Sequence, residues 1–444
     1  MSAVFLGKIK NRLPPKNLLP LLFAYMFDSL AISSYWIFFG IWLNEELITP
    51  EAGFDYPYLM LTLVLAVPGL VSIIGSSIFS AFSDKTGRRK EIMFFARLLL
   101  MAQCILLIFF NTVPWQILLI LGVFGVHNVF YILHNTLSTT ICHPDKRGEV
   151  SSFQIFFSSL GWMIGSSVSG LIYDNLGMIG GLSFGAGFAL ITGIVTMFSP
   201  TKPSVEEDDE ADDSDESFQN PTEISSEKLE LSNKNQRNKS AGYWKILTRR
   251  NVLFLLVVLA ILDFGFGPFN TLSSVYLKEI GLSSNFIGYS NTIATFLGMT
   301  FQLFIGRILD KKGRRPVLLV AIVAYPVLFL FMYLFSNNWV IIFIIYSYPL
   351  YALKNPTANA IMSDVTKSKE RARGMSLLQF ENTIFIYLGA FLGAFIADIS
   401  PDGLLTLPLF PLSFGIIASV LAIFIIKETN KKLLGKNLPQ YKTI

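Results

Sequence analysis

Runs of about twenty or more predominantly apolar residues recur along almost the whole chain, separated by short polar clusters. Twelve are counted, over about 18–43, 58–82, 91–111, 115–140, 150–173, 177–199, 251–277, 284–309, 317–336, 338–362, 372–397 and 404–427. At a rise of about 1.5 Å per residue, each is long enough for a hydrocarbon layer of about 30 Å. None shows the two-residue alternation of a barrel strand, so each predicts a membrane helix whose backbone groups are satisfied within the segment. These twelve helices, spans 1 to 12 below, predict an all-α membrane protein.

Composition agrees and excludes other classes. The 444 residues are 52% hydrophobic and 15% charged, against about a quarter charged in an ordinary soluble domain. The net charge of +4 is small. The bases sit in short clusters between spans rather than along one face, which argues against nucleic acid and for the lipid bilayer as partner. Cys104 and Cys142 imply no disulfide framework. Met1 to Lys16 is polar and basic with two prolines, so no cleavable signal is expected.

Charge also orders the topology. Of the 35 Lys and Arg, all but Arg97, Lys278 and Lys354 fall in the amino terminus, after even-numbered spans or in the carboxyl tail. The positive-inside rule then places both termini in the cytoplasm of a cell-membrane protein. One stretch differs from the rest. Residues 201–248 include the acidic run Glu206 to Glu216, followed by Ser, Asn and Lys, a composition too polar to offset its ordering entropy. The predicted organisation is a cytoplasmic amino terminus (1–17), a six-helix bundle (18–199), a disordered cytoplasmic linker (200–250), a second bundle (251–427) and a tail (428–444).

The two bundles repeat one another. Ser83-Asp84-Lys85-Thr86-Gly87-Arg88-Arg89 follows span 2, and Leu309-Asp310-Lys311-Lys312-Gly313-Arg314-Arg315 follows span 8. The Asp pair is 226 positions apart, and so are Arg147 and Arg373, which follow spans 4 and 10 before a glycine. Two motif pairs at one offset indicate a duplicated unit. Gly87 and Gly313 suit turns with positive φ, and Asp84 and Asp310 suit caps of a neighbouring helix.

These loops resemble the signature of the major facilitator superfamily, Gly-x-x-x-Asp-Arg/Lys-x-Gly-Arg-Arg. Gly306 to Arg315 matches throughout, whereas Ser80 replaces the leading glycine of the first copy. The resemblance implies two pseudo-symmetric six-helix bundles, with spans 1, 4, 7 and 10 lining a central cavity and spans 3, 6, 9 and 12 facing lipid. It also implies that Asp84, Gly87, Arg88, Arg89, Arg147, Gly306, Asp310, Gly313, Arg314, Arg315 and Arg373 form an inner latch. Asp145 is placed to pair with Arg88 there. Span 5 reads Gly165-Ser166-Ser167-Val168-Ser169-Gly170, without the proline of the Gly-Pro-x-x-Gly-Gly segment common in proton-coupled drug exporters of the superfamily.

Ionisable residues inside spans are costly unless paired or hydrated, so each is a candidate site residue. They are Asp28, His127, His134, Asp263, Lys354 and Glu381. Asp28 and Asp263 fall about ten to twelve residues from the base-rich end of their spans, at a depth of about 15–18 Å. His127, His134, Asn128 and Asn135 form a polar stripe on span 4. Lys354 and Glu381 are at levels that allow them to meet. Gln154, Asn355, Asn359 and Gln379 add hydrogen-bonding capacity. Arg97, near the start of span 3, is expected to snorkel to the surface.

The expected activity is secondary transport of a small-molecule substrate by alternating access in a monomer, with protons as the coupling ion. No metal cage, cofactor motif, phosphate loop or nucleophile constellation is seen, so an enzyme or primary pump is not expected. A facilitative uniporter and a non-transporting sensor with the linker as output arm are the alternatives.

Overall fold

The computed structural model describes residues 18–49, 53–141, 147–200, 244–366 and 371–429, and these are helical with no strand among them. Most of the linker, the amino terminus, Asp145 and the end of the tail lie outside the described residues. Nine helices among the described residues are long and apolar enough to cross a membrane. The reading of twelve follows from three of the remaining features. One of the nine, Ser152–Met197, has 46 residues, more than twice what one crossing needs. Span 8 is the continuous helix Ser284–Lys312 but carries Ser, Asn, Thr and Gln along its length. Span 10 is divided into Trp339–Tyr346 and Tyr351–Val365, with Pro349, which cannot donate a backbone hydrogen bond, in the break.

The long helical segment Arg147–Met197 reverses at Gly177, where φ is 62° and ψ −163°. Packing against span 1 (Leu19–Glu46) shows the reversal. Going up the chain, Gly161 and then Gly165 lie against Met26 and Leu30, so span 5 runs parallel to span 1. Beyond the turn, Gly181 and then Gly185 lie against the carbonyls of Ser34 and Ala31, so span 6 runs back.

Glycine sets this approach in both bundles. A Cβ at Gly161 would overlap the Met26 carbonyl, and one at Gly389 in span 11 (Arg371–Ile399) would overlap the Phe264 carbonyl in span 7 (Arg250–Glu279). Backbones this close need the missing side chain, as in other small-residue membrane interfaces. Spans 1 and 5 are thus packed in the first bundle as spans 7 and 11 are in the second, a structural echo of the sequence duplication.

Two irregularities position chemistry. Span 4 is Pro114–Phe124, a 3₁₀ turn at Gly125–Asn128, and Val129–Ile141. Gly125 allows span 2 (Pro57–Thr86) to come close, since a Cβ there would stand 3.0 Å from Pro68 Cα. The tightened turn holds His127. Ile246, just before span 7, is buried in the core.

The bundles meet along the base-poor side. Asp398, at the end of span 11, accepts hydrogen bonds from the backbone N–H groups of Tyr58 and Leu59, each 2.8 Å long. Asn285 Nδ2 donates to Asp174 Oδ2 (3.2 Å), and Ser166 and Thr292 hydroxyls are 3.0 Å apart. Gly288 fits against the Ser166 carbonyl, where a Cβ would stand 2.6 Å away. The solvent-exposed pair Lys278 and Glu45 is at 4.0 Å on the rim.

Candidate functional site

The first bundle contains a buried acid–base cluster. Asp28 and Arg97 are both fully buried and form an ion pair through Asp28 Oδ1 and Arg97 Nη1. Arg97 Nη2 donates to the His127 carbonyl (2.5 Å) and lies 3.5 Å from His127 Nδ1. The guanidinium also stacks 4.1 Å from the Phe130 ring centroid. Arg97 therefore does not snorkel. It is in span 3 (Arg89–Phe109), which the resemblance assigned to lipid, but it faces spans 1 and 4 because a carboxylate and a freed carbonyl there satisfy it.

His134 has a different role. Its Nε2 donates to the Leu21 carbonyl (2.9 Å), while Gln154 Nε2 donates to its Nδ1 (3.0 Å) and to Ser138 Oγ (2.7 Å). Both ring nitrogens are used by a neutral imidazole, and the ring lies 4.4 Å from that of Tyr25. This is a packing histidine joining spans 1, 4 and 5. His134→Phe should lower stability by about 1–2 kcal/mol, the worth of a buried hydrogen-bond set left open. Thermal unfolding of the purified variant in detergent would check this. Asn128 is half-buried and Asn135 exposed, so the expected stripe on span 4 is divided between core and surface.

The second bundle holds the other cluster. Lys354 pairs with Asp263 rather than with Glu381 as expected, and both partners are buried. Asn382 Nδ2 donates to Asp263 Oδ2 (3.0 Å). Depth along the spans is similar for both acids, but Asp263 on span 7 faces span 10 directly. Glu381 is buried at 6% exposure with its Oε1 unpartnered. A cavity of about 260 Å³ adjoins these groups and is also lined by Asn355, Asn359 and Gln379.

Between the bundles is a third feature, an uncharged cavity of about 340 Å³. Trp36, Trp162, Phe266, Phe269, Tyr346 and Tyr387 line it, with Asn270, Ser273, Ser274 and Asn291 as polar groups. The inter-bundle contacts of Asp398 and Asp174 join the base-poor ends of spans 2, 5, 8 and 11, which also contribute to its lining. Sequence reasoning missed these residues because none carries a charge at neutral pH. The available signal was two of only six tryptophans, Trp36 and Trp162, placed within spans rather than at their ends.

A family model described as Major Facilitator Superfamily matches residues 21–345 and 264–437. The chain belongs to the major facilitator superfamily. It is similar to the tetracycline resistance protein, class H, of Pasteurella multocida, with 22% identity over 204 residues, 44% of this chain and 49% of that protein. The chain thus spans about half the length of that curated relative. Among solved structures, a mutant of the nucleoside transporter NupG superposes with a TM-score of 0.70 at 13% identity, over 93% of this chain and 100% of that one. A D-xylose-proton symporter superposes with a TM-score of 0.68 at 15% identity, over 93% and 98%. Superfamily and neighbours are transporters, not enzymes.

The superfamily's signature loops have distinct environments here. Gly87 closes span 2 in the left-handed region (φ 68°), its N–H donating to the Ser83 carbonyl (2.8 Å), as the turn requires. Arg88 is exposed. Gly313 also has positive φ (95°), but the loop it begins is held within the second bundle. Backbone N–H groups of Arg314 and Arg315 donate to Glu428 (3.1 Å each), Arg314 Nε pairs with Asp364 (2.5 Å), and Arg315 Nη2 donates to the Ile423 carbonyl (2.9 Å). Gly306 has open space where a Cβ would stand, so no close helix approach depends on it in this state. Arg373 is half-buried, and Asp145 with the side chains of Asp84, Arg147 and Asp310 lies outside the described residues.

Proposed function

We propose that this superfamily member is a secondary active transporter moving a small amphipathic solute by alternating access, with protons as the coupling ion. The observation that carries the reading is the aromatic and amide-lined cavity between the bundles, in a protein with a buried acid–base cluster in each bundle. Indole and phenol rings offer apolar faces, and Asn270 and Asn291 orient a few polar groups, the usual composition of a small-molecule site. The tetracycline resistance protein and the proton symporter among its relatives are in keeping with such cargo and coupling. Asp28 is the coupling carboxylate in this reading: a proton on it removes the charge that holds Arg97 and releases spans 1, 3 and 4 from one another. The base-rich side is cytoplasmic by charge distribution.

The test is flux in vesicles with an imposed pH gradient, using any solute that stabilises the purified protein. Trp162→Ala should weaken binding of that solute by about tenfold or more, the loss of one aromatic contact. Asp28→Asn should leave binding measurable and abolish acceleration by the gradient. Gradient-driven flux that survives Asp28→Asn unchanged would remove Asp28 from this role, and flux indifferent to pH in the native protein would favour a uniporter.

A further inference from the structure

The two buried clusters differ in charge balance. In the first bundle Asp28 is matched by Arg97. In the second, Lys354 is matched by Asp263, and Glu381 is left over. Among the described residues, Asp263 and Lys354 are the charged groups facing Glu381, one on span 7 and one on span 10. Lys354 is already committed to Asp263, and Glu381 Oε1 has no hydrogen-bond partner although the residue is more than nine-tenths buried. A carboxylate in that position costs several kcal/mol unless a cation accompanies it. The cation has somewhere to sit. The adjoining cavity of about 260 Å³, walled by spans 7, 10 and 11, is lined by Asn355, Asn359 and Gln379, all three exposed.

We propose that this cavity is a binding site for a small primary ammonium ion, whose nitrogen meets the carboxylate of Glu381, a residue that lines it. An ammonium head has three donors and no acceptor. One meets the carboxylate and the others meet amide oxygens, while a short alkyl stem fills the rest. Charge balance defines the exchange. Without ligand the excess carboxylate holds a proton; the incoming ammonium ion pairs with the carboxylate, and that proton leaves to solvent, with no covalent bond to carbon formed or broken. The assignment deepens the transporter reading by naming organic cations as a substrate class, but the site is tested by binding alone.

Calorimetric titration of the purified full chain in neutral detergent with n-butylammonium chloride is the experiment, run in two buffers of different ionisation enthalpy so that released protons are counted. Binding with close to one proton released per ligand is expected, and n-butanol should not bind. Glu381→Gln keeps the shape of the neutral carboxyl but cannot ionise, so it should fold at least as well and lose about tenfold to a hundredfold in ammonium affinity, one charge-assisted hydrogen bond. Glu381→Asp should bind more weakly yet still release a proton. The proposal is overturned if the native protein does not bind butylammonium, if Glu381→Gln binds it undiminished, if no proton is released, or if sodium chloride competes at equal concentration. Solute flux in vesicles judges the transporter reading separately.

Discussion

Arg97→Leu should destabilise the protein by about 3–5 kcal/mol, because it leaves Asp28 buried without a countercharge. Both side chains have no exposed surface, and the other group close to Asp28, the Tyr131 hydroxyl, is uncharged and cannot replace the guanidinium. The same substitution frees the His127 carbonyl, which receives a 2.5 Å bond from Arg97 Nη2. That carbonyl is in the 3₁₀ turn of span 4, so the loss spreads to the packing of spans 2 and 4. Pairing the change with Asp28→Asn should restore most of the stability, since removing both charges of a buried pair is often close to neutral. The measurement is thermal unfolding of the single and double variants in detergent. A single variant as stable as the native protein, or a double variant no better than the single, would show that the pair does not hold spans 1 and 3 together.

Arg97 also shows where legibility ends. A base in an apolar run is visible in any sequence, and so is Asp28, but which way each helix is rotated is not. Seven residues separate Arg97 from its helical neighbour Lys90, a distance compatible with either a snorkelling chain or an inward one. Only the place of the Asp28 carboxylate and the 3₁₀ turn decides. Lys354 and Asp263 repeat the lesson: depth along a span was readable from residue counts, whereas the neighbour was not, and Glu381 at the same level was the plausible partner. Local features fared better. The positive φ of Gly87 and Gly313 follows from a turn that only glycine makes cheaply, and the duplicated loops anticipated matched bundles. The central cavity was opaque because its walls are uncharged, and Phe and Tyr are too common here to mark it, which leaves the two mid-span tryptophans as its one trace in the sequence.

Asp398→Ala should shift the protein toward the state open on its base-poor side by about 2 kcal/mol, about thirtyfold in population. The first N–H groups of a helix have no partner of their own, and the positive end of the helix favours a carboxylate. For span 2 that carboxylate comes from the other bundle, so the cap exists only while the bundles are closed at this end. A contact present in one state alone sets the balance between the two. Labelling of Ser274→Cys in the central cavity by a membrane-impermeant maleimide applied from the base-poor side should rise accordingly. Asp398→Asn retains one amide oxygen as acceptor and should show a smaller rise. Lys278→Ala offers the contrast. Its 4.0 Å contact with Glu45 is between side chains that are both more than a third exposed, where solvent screening leaves an ion pair with little net worth. If the lysine variant raised labelling as much as Asp398→Ala, closure would rest on long-range charge and not on the helix cap; unchanged labelling in both would mean that the glycine-mediated fit of Gly288 against span 5 holds the closed state without help from Asp398.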